Sequence, residues 1–309
     1  MGFVLETVHL SKRYKSQWAL KDVNMHVSKG DIYGFVGENG SGKTTVIRLV
    51  TGLIFPTEGG VSLFGVSDES PAILEQRKKV GAIVETPSIY MNMSAVENLR
   101  IQCSILGIKE GVEDKVKATL HEVGLLDQYE SKKNVANFSL GMRQRLGIAM
   151  ALLGDPELII LDEPMNGLDP AGIVEVRELI LKLNRENQIT FLISSHILSE
   201  LALVATKYGI ISKGKLIKEI TAEELRSECR ASTLIRTKDC EKLFALIKDD
   251  FSAEDCLMVG DGVRVCGNVN LNDLLRKVLD AGIVMDAVVC SQFSIEDYYL
   301  SLIGGVSHA

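Results

Sequence analysis

The sequence predicts an α/β domain with a parallel sheet, followed by a smaller α+β domain. Residues 31–36 form an apolar run that leads through a glycine-rich loop into a helical segment. Residues 158–161 form a second apolar run, and two carboxylates follow it directly. From about residue 232 the order of predicted elements changes to β-α-β-β-α-β, which is the order of a ferredoxin-like unit.

The domain boundary follows from length and from the distribution of motifs. A chain of 309 residues fits about two domains. The glycine-rich and acidic motifs all lie in residues 1–220, which we predict to be the first domain. A capping box of Thr221 and Glu224 begins a predicted linking helix over 221–231. We predict that residues 232–309 form the second domain.

Hydrophobic periodicity predicts the elements of this second domain. We expect strands over 233–237, 256–259, 263–266 and 284–290, and helices over 240–251, 271–279 and 295–303. The last helix begins after Ser294, a suitable N-cap. We expect the six cysteines to be reduced, with Cys256 and Cys266 as the pair to examine because they could face each other across a hairpin.

Charge and hydropathy limit the classes of partner. The net charge is −7 and no run of Lys or Arg exceeds a pair, so there is no basic surface suited to long nucleic acid. No segment reaches the roughly 18 to 20 uninterrupted apolar residues of a membrane-spanning helix. We therefore expect a folded chain that binds no nucleic acid and does not itself cross a bilayer.

The glycine-rich loop, residues 37–44, has the composition of a phosphate-binding loop, or P-loop. Glycines let successive backbone N–H groups curl around phosphates, and the N-terminus of the next helix adds partial positive charge. Lys43 can reach the β- and γ-phosphate oxygens, Thr44 can place its hydroxyl on Mg²⁺, and Thr45 can contact the α-phosphate. The candidate nucleotide-binding residues are Gly37, Asn39, Gly40, Ser41, Gly42, Lys43, Thr44 and Thr45.

Asp162 and Glu163 end the second apolar run, at the edge where parallel sheets bind ligands. Because adjacent side chains on a strand point to opposite faces, the two carboxylates need separate roles. One can hold Mg²⁺ through water, and the other can orient or deprotonate an attacking water.

Residues 137–145, NFSLGMRQR in one-letter code, resemble the signature sequence of ABC transporter ATP-binding subunits. Other hallmarks of that family have counterparts in the same order along the chain. Tyr14 lies where the family stacks an aromatic ring on adenine, and Glu85 lies at the Q-loop. Residues 167–169 lie at the D-loop, and His196 lies at the switch histidine.

This resemblance implies a P-loop NTPase fold that binds ATP and Mg²⁺ and hydrolyses ATP as a head-to-tail homodimer. The implied catalytic residues are Glu163, His196 and Glu85, and the implied metal-binding residues are Thr44, Glu85 and Asp162. Each ATP would lie between the P-loop of one subunit and Ser139, Leu140 and Gly141 of the other, with Asp169 bridging the subunits. Ser139 begins a predicted helix, whose N-terminus suits an anion.

Some of these residues have a plain structural alternative. Tyr14 could be a half-buried strand aromatic, and Trp18 nearby is a competing stacking residue. His196 could be a core histidine at a strand tip. Ser139 could be an ordinary helix N-cap, a role that it takes in either case.

Departures from the family pattern indicate which subfamily the chain resembles. Glu85 replaces the usual Gln, which makes a stronger Mg²⁺ ligand but adds negative charge beside phosphate. Leu140 and Met142 replace the usual Gly and Gln of the signature, and Met165 stands where Thr is common. Glu85, the length and the C-terminal domain together resemble the lantibiotic and bacitracin self-protection exporters.

The subfamily resemblance implies an exporter of peptide antibiotics whose membrane-spanning helices belong to separate permease subunits. The chain would then lie on the cytoplasmic face of the membrane and dock through residues 85–99, which include Tyr90 and Met93.

Two other functions stay open. The chain could be a soluble ABC-type ATPase that remodels DNA, ribosomes or metal clusters, although chromosome and repair ATPases insert a long coiled coil between the P-loop and the signature. The tail could also be a ligand-sensing module, since a ferredoxin-like fold does not determine function.

Overall fold

The computed structural model of the chain describes residues 2–228, 231–248, 256–266, 270–292, 298–299 and 302. The chain divides into two compact units, Met1–Ala222 and Glu223–Ala309. Across the described residues, none of the helices has the length and apolar composition that crossing a bilayer requires.

The first unit combines two sheets with helices. Its elements are, in chain order, β1 (Phe3–Tyr14), β2 (Gln17–Ser28), β3 (Ile32–Val36), α1 (Lys43–Val50), β4 (Glu58–Leu63), β5 (Val66–Ser67), α2 (Ile73–Arg77), β6 (Val80–Ile83), α3 (Ala95–Ile105), α4 (Val112–Glu122), α5 (Leu140–Leu152), β7 (Leu158–Asp162), α6 (Pro170–Asn187), β8 (Thr190–Ser195), α7 (Leu198–Leu201), β9 (Lys207–Ser212) and β10 (Lys215–Thr221). Short 3-10 helices at Leu126–Gln128 and Val135–Asn137 lie between α4 and α5.

A six-stranded sheet in the order β10-β9-β3-β8-β7-β6 positions the candidate site. Its neighbours from β9 to β6 are parallel, and β10 is antiparallel to β9. Every residue of β3 and β7 is buried, which explains why both strands are almost continuously apolar in sequence. Because β3, β8 and β7 are parallel neighbours, the segments that follow them meet at one edge of the sheet.

Helix α1 is anchored in a hydrophobic core that it shares with both sheets of the first unit. The second of these sheets is antiparallel and has the order β2-β1-β4-β5. Buried members of the shared core include Val23, Val46, Ile47, Leu63, Leu158 and Leu192. This packing holds the start of α1, and the loop before it, in place against β3.

Glu219 ties β10 to three other strands of the first unit. Its Oε1 accepts hydrogen bonds from the Tyr33 hydroxyl at 2.8 Å and from the His26 backbone N–H at 3.0 Å. Its Oε2 lies 2.8 Å from His26 Nδ1, and Lys207 Nζ lies 3.5 Å from Oε1. Burial raises the pKa of Glu219, but the hydrogen bonds from His26 and Tyr33 outweigh burial and bring the pKa below its ordinary value.

We expect Glu219→Ala to lower the free energy of unfolding by about 1.5 to 3 kcal/mol at neutral pH, the scale of hydrogen bonds to a charged group. Because folding lowers the pKa of Glu219, this stabilisation is fully present above its ordinary value of 4.5 and is lost as the pH falls through the folded-state pKa. Urea titrations of both proteins, at neutral and at acidic pH, measure the difference. A difference that does not shrink in acid would contradict this account.

Apart from the linking helix α8 (Ala222–Glu228), the remaining elements form the ferredoxin-like arrangement that the sequence predicts. They are β11 (Ala231–Arg236), α9 (Cys240–Ile247), β12 (Cys256–Val259), β13 (Gly262–Cys266), α10 (Leu271–Asp280) and β14 (Ala287–Gln292). The sheet has the order β12-β13-β11-β14, with antiparallel neighbours throughout. Its core includes Ile235, Leu243, Val263, Val265, Leu274 and Val278.

Strand pairing corrects three details of the second unit. The linking helix is shorter than 221–231, because Ala231 already pairs with Gln292 in the sheet. Cys256 and Cys266 do not face each other, because the register places Val265 opposite Cys256. Strand β14 begins later than residue 284, whose carbonyl instead accepts a hydrogen bond from the Thr237 hydroxyl at 2.7 Å. The predicted helix over 295–303 lies mostly outside the described residues.

Candidate active site

The loop between β3 and α1 requires glycine for its backbone conformation and for its close packing. Gly40 and Gly42 have φ of +81° and +113°, a region that other residues rarely adopt. A Cβ on Gly37 would lie 2.4 Å from the Ile211 carbonyl oxygen, and a Cβ on Gly42 would lie 2.5 Å from Leu20 Cδ2. The loop therefore approaches β9 and β2 more closely than any side chain would allow.

Ser41 in this loop indicates an anion-binding role. Its Oγ is buried and has no hydrogen-bond partner among the described residues. Buried hydroxyls are rarely left without a partner. The hydroxyl belongs to a loop that leads into a helix N-terminus, where backbone N–H groups favour negative charge. A phosphate held by the loop would supply the missing partner, so the residues present fit a nucleotide phosphate.

A cavity of about 640 Å³ opens beside the loop. This volume is within the roughly 300 to 1,000 Å³ typical of small-molecule sites. Its lining includes the predicted residues Tyr14, Asn39, Gly40, Gly42, Lys43, Thr44, Thr45 and Glu163. The lining also includes Gln17, Trp18, Ala19, Lys213 and Gly214. The structure therefore brings the predicted adenine-stacking residue, the P-loop and one carboxylate to the same space.

Lys43 is only 5% exposed, and its ammonium group is held at the loop. Its Nζ donates to the carbonyl oxygen of Gly37 at 2.6 Å and to that of Glu38 at 3.3 Å. The same Nζ lies 3.2 Å from Glu163 Oε1. A buried ammonium needs such partners, because removing a charge from water is costly. The loop thus holds a fixed positive charge at the wall of the cavity.

Asp162 connects the P-loop helix to two strands. Thr44 Oγ1 donates to Asp162 Oδ2 at 2.9 Å, and Ser194 Oγ donates to Asp162 Oδ1 at 2.5 Å. Asp162 and Ser194 are both buried at the carboxyl ends of β7 and β8. Each oxygen of this carboxylate is therefore oriented by its own hydroxyl.

Glu163 lies between two basic side chains. It leaves β7 with φ of +51°, and its N–H donates to Ser194 Oγ at 3.0 Å. One carboxylate oxygen faces Lys43, and the other lies 2.8 Å from His196 Nδ1. Burial raises the pKa of the neighbouring Glu200 above its ordinary value. The Glu163 carboxylate, held between Lys43 and His196, is placed to act as a general base.

Thr44 and Asp162 fit a magnesium site. Mg²⁺ prefers hydroxyl and carboxylate oxygens and commonly takes few protein ligands together with phosphate oxygens and water. In the described part of the chain, no group of three or more His, Cys, Asp or Glu residues is arranged to hold a metal ion. A metal at Thr44 and Asp162 would therefore depend on the nucleotide for further ligands. When bound, it would offset negative charge on the phosphates.

Glu85 contacts Arg48, a residue that no sequence motif marks. Its carboxylate forms an ion pair with the Arg48 guanidinium, and its backbone has φ of +62°. Arg48 follows Thr44 by one turn of α1, so the two side chains share a face of the helix. The contacts of the described residues do not join Glu85 to Thr44, Asp162 or Glu163. Its metal-binding and catalytic roles stay predictions.

Ser139 and Asp169 both cap helices. Ser139 Oγ accepts a hydrogen bond from the Met142 N–H at 3.2 Å at the start of α5. Asp169 Oδ1 accepts one from the Gly172 N–H at 3.1 Å at the start of α6. The two helix starts are close together: a Cβ on Gly141 would lie only 3.5 Å from Gly172 Cα. Neither capping residue nor Gly141 lines the cavity beside the P-loop.

The two aromatic residues of the cavity are each covered by a cation. Lys12 Nζ lies 5.3 Å from the centroid of the Tyr14 ring, and Arg13 lies 5.3 Å from that of the Trp18 ring. Tyr14 and Trp18 both line the cavity. Both therefore stay candidates for stacking on an adenine base.

Several residues of the site lie outside the sequence predictions, among them Ser194, Arg48 and Lys213. Ser194 stands two residues before His196 at the end of β8, a spacing that on a strand places two side chains on the same face. Arg48 stands four residues after Thr44, a spacing that could have indicated a shared helix face. No pattern in the sequence marks Lys213 as part of the cavity.

Comparisons with known proteins agree with this geometry. The model of the ABC transporter family matches residues 20–166. The chain is 44% identical over 309 residues to the bacitracin transport ATP-binding protein BcrA of Bacillus licheniformis, covering 99% of both chains. It is 42% identical over 216 residues to the lantibiotic transport ATP-binding protein SrtF of Streptococcus pyogenes, covering 70% of this chain and 90% of that protein.

A solved structure supports the same assignment. The structure of cbiO1 from Clostridium perfringens, part of the ABC transporter complex cbiONQ, is 25% identical and has a TM-score of 0.67. The match covers 74% of this chain and 92% of that one. From the P-loop, the paired carboxylates and the full-length similarity, we conclude that the chain belongs to the ABC transporter family as an ATP-binding protein that hydrolyses ATP.

Proposed function

We propose that this ATPase energises an exporter that removes peptide antibiotics of the bacitracin or lantibiotic kind. The observation that carries the proposal is the similarity to a bacitracin transport ATP-binding protein over 99% of both chains, which includes the C-terminal unit. The similarity to a lantibiotic transport protein over 70% of the chain supports the same class of cargo. Both relatives favour a transport role over a soluble remodelling ATPase.

The catalytic part of the proposal assigns each contact of the site to one task. Lys43 binds the β- and γ-phosphates, while Thr44 and Asp162 hold Mg²⁺. Glu163 orients the attacking water and accepts its proton. His196 keeps the Glu163 carboxylate in place through the 2.8 Å contact and contacts the γ-phosphate.

A second copy of the chain completes this site in our proposal. Ser139 and Gly141 lie at the N-terminus of α5, a position that suits an anion. Neither residue lines the cavity beside the P-loop. A head-to-tail homodimer would place this N-terminus of one copy on the γ-phosphate bound to the other. Asp169, at the neighbouring start of α6, would then lie at the dimer interface.

A groove beside β6, which includes residues 86–88 of the predicted docking segment 85–99, is the proposed docking surface for a separate permease. Its volume is about 430 Å³, and its apolar lining includes Leu53, Ile83, Pro87, Leu106 and Met150. Gly147 brings α5 close to the Glu85 segment, since a Cβ there would lie 2.7 Å from Pro87. An amphipathic helix of the permease would fit such a groove. This docking would hold the chain on the cytoplasmic face of the membrane.

The experiment that tests this function expresses the chain together with a candidate permease subunit in a peptide-sensitive host. We expect a higher inhibitory concentration of bacitracin or of a lantibiotic, and we expect the Glu163→Gln variant to abolish this protection. Co-purification from membranes reports the permease contact independently. The proposal would be contradicted if the chain gave no protection against these peptides and did not associate with the permease.

We expect Leu106→Glu to reduce co-purification of the permease at least about tenfold, because burying an unpaired carboxylate in an apolar contact costs several kcal/mol. Ile217→Glu is the matched control, because both leucine and isoleucine are 43% exposed and Ile217 lies on β10, outside the groove. Thermal unfolding of both variants checks that the fold is retained. Equal co-purification of the two variants would place the permease on another surface.

A further inference from the structure

We propose that Ser194 is a positioning residue for ATP hydrolysis, through which one hydroxyl group orients both Asp162 and Glu163. The inference deepens the function given above and rests on its magnesium site at Thr44 and Asp162. Ser194 touches neither nucleotide nor metal in this proposal. It acts through the two carboxylate residues that do.

The hydrogen bonds of Ser194 use its hydroxyl as donor and as acceptor. The O–H donates to Asp162 Oδ1 at 2.5 Å, and Oγ accepts from the Glu163 N–H at 3.0 Å. The Ser194 carbonyl oxygen also accepts from that N–H at 3.2 Å. Ser194 is fully buried on β8, which pairs with β7 and β3 on either side. The hydroxyl is therefore held by a rigid part of the sheet.

The contact with Asp162 sets the orientation of a metal-binding carboxylate. Thr44 donates to Oδ2, so Ser194 is the hydroxyl that orients the opposite oxygen. With a metal bound, Thr44 would direct its oxygen to that metal and no longer donate to Asp162. Ser194 then supplies the remaining side-chain hydrogen bond that holds Asp162. Partners of this kind typically change metal affinity or activity by about 10- to 100-fold when removed.

The contact with Glu163 supports an unfavourable backbone conformation. Glu163 has φ of +51°, a region that costs a residue other than glycine on the order of 1 kcal/mol. Its N–H is directed at Ser194 by this turn of the chain. The turn also determines where the Glu163 carboxylate begins its path towards Lys43 and His196. Loss of the Ser194 hydroxyl thus removes one of the two acceptors that hold this turn and leaves only the Ser194 carbonyl oxygen.

The test measures metal binding rather than turnover. Mn²⁺ titrations followed by electron paramagnetic resonance, with a non-hydrolysable ATP analogue present, report the metal affinity of the full chain. We expect Ser194→Ala to weaken Mn²⁺ binding by about 10- to 100-fold. Ser194→Thr keeps a hydroxyl and is expected to restore most of the affinity, whereas Ser194→Val has the shape of threonine without the hydroxyl and is expected to behave like alanine.

Thr190→Val is the matched control for loss of a buried hydroxyl. Thr190 is fully buried at the other end of β8, where its Oγ1 accepts from the Gly30 N–H at 3.0 Å. We expect its Mn²⁺ affinity to stay within about twofold of that of the unmodified chain. A lower melting temperature in all the variants that lack a hydroxyl would show that these hydroxyls stabilise the fold. A loss of Mn²⁺ affinity in the Ser194 variants alone would show the separate positioning role.

Mn²⁺ affinities of Ser194→Ala and Ser194→Val within twofold of the unmodified chain would overturn the role of Ser194 and leave the proposed magnesium site intact. Failure of the unmodified chain to bind Mn²⁺ with the analogue would overturn the magnesium site itself, and the Ser194 role with it. Equal affinities of the threonine and valine variants would also overturn the inference, because packing strain is common to both.

Discussion

Glu163→Gln is expected to slow ATP turnover by 10² or more, the scale typical of losing a general base. Glutamine has nearly the same shape, so the cavity and the contact with His196 are retained. The glutamine amide cannot accept a proton from water. Because it is neutral, it also no longer neutralises the charge of Lys43. Phosphate release measures turnover, and a fluorescent ATP analogue measures binding, which we expect to persist.

The same variant is expected to accumulate a nucleotide-bridged dimer in the presence of MgATP, visible by size-exclusion chromatography. Glu157→Gln is the matched control, because it makes the same substitution just before β7, where Glu157 pairs with Lys79 at 3.1 Å and Lys29 at 4.0 Å. Turnover by Glu163→Gln equal to that of this control would remove Glu163 as the base. Slow turnover without a dimer would instead contradict the head-to-tail arrangement.

Lys43→Ala is expected to weaken ATP binding by about 10- to 100-fold, the equivalent of losing a hydrogen bond to a charged group. The substitution removes the cation that contacts Gly37, Glu38 and Glu163, so it also leaves the Glu163 carboxylate without a partner at Oε1. Isothermal titration with ATP measures the affinity directly.

Two comparisons make the Lys43 result specific. Lys43→Met keeps most of the buried stem without the charge, so an affinity as low as that of Lys43→Ala would assign the loss to the ammonium group. Lys29→Ala removes an exposed lysine that lies 4.0 Å from Glu157 and is expected to bind ATP normally. Unchanged ATP affinity in Lys43→Ala would contradict the phosphate-binding role.

Features that depend on neighbouring residues were predictable from the sequence. The buried strand β3, the loop after it and α1 follow from an apolar run, glycines and helical periodicity. The N-cap at Ser139 and the stripe of α10 follow from equally local patterns. The element order of the second unit led to its topology because few arrangements of such elements are stable.

The register of paired strands and the side-chain contacts between distant segments were not predictable. Asp162 and Glu163 were identifiable as carboxylates at a strand end, but not their shared partner Ser194, which lies about thirty residues further along the chain. The partnership of Glu85 with Arg48 likewise depends on the turn of backbone at Glu85. The register that separates Cys256 from Cys266 is a property of the paired strands.

By itself, the sequence determined which residue types stand where phosphate chemistry needs them. Local periodicity and composition predict the strand, the loop and the helix, and these place the residues along the chain. Only the tertiary structure decided which side chains touch. Parallel pairing of β3, β8 and β7 brings their carboxyl ends together, and a hydrogen bond forms only when donor and acceptor are within about 3 Å. That distance depends on sheet order and register, which no single segment of the chain contains.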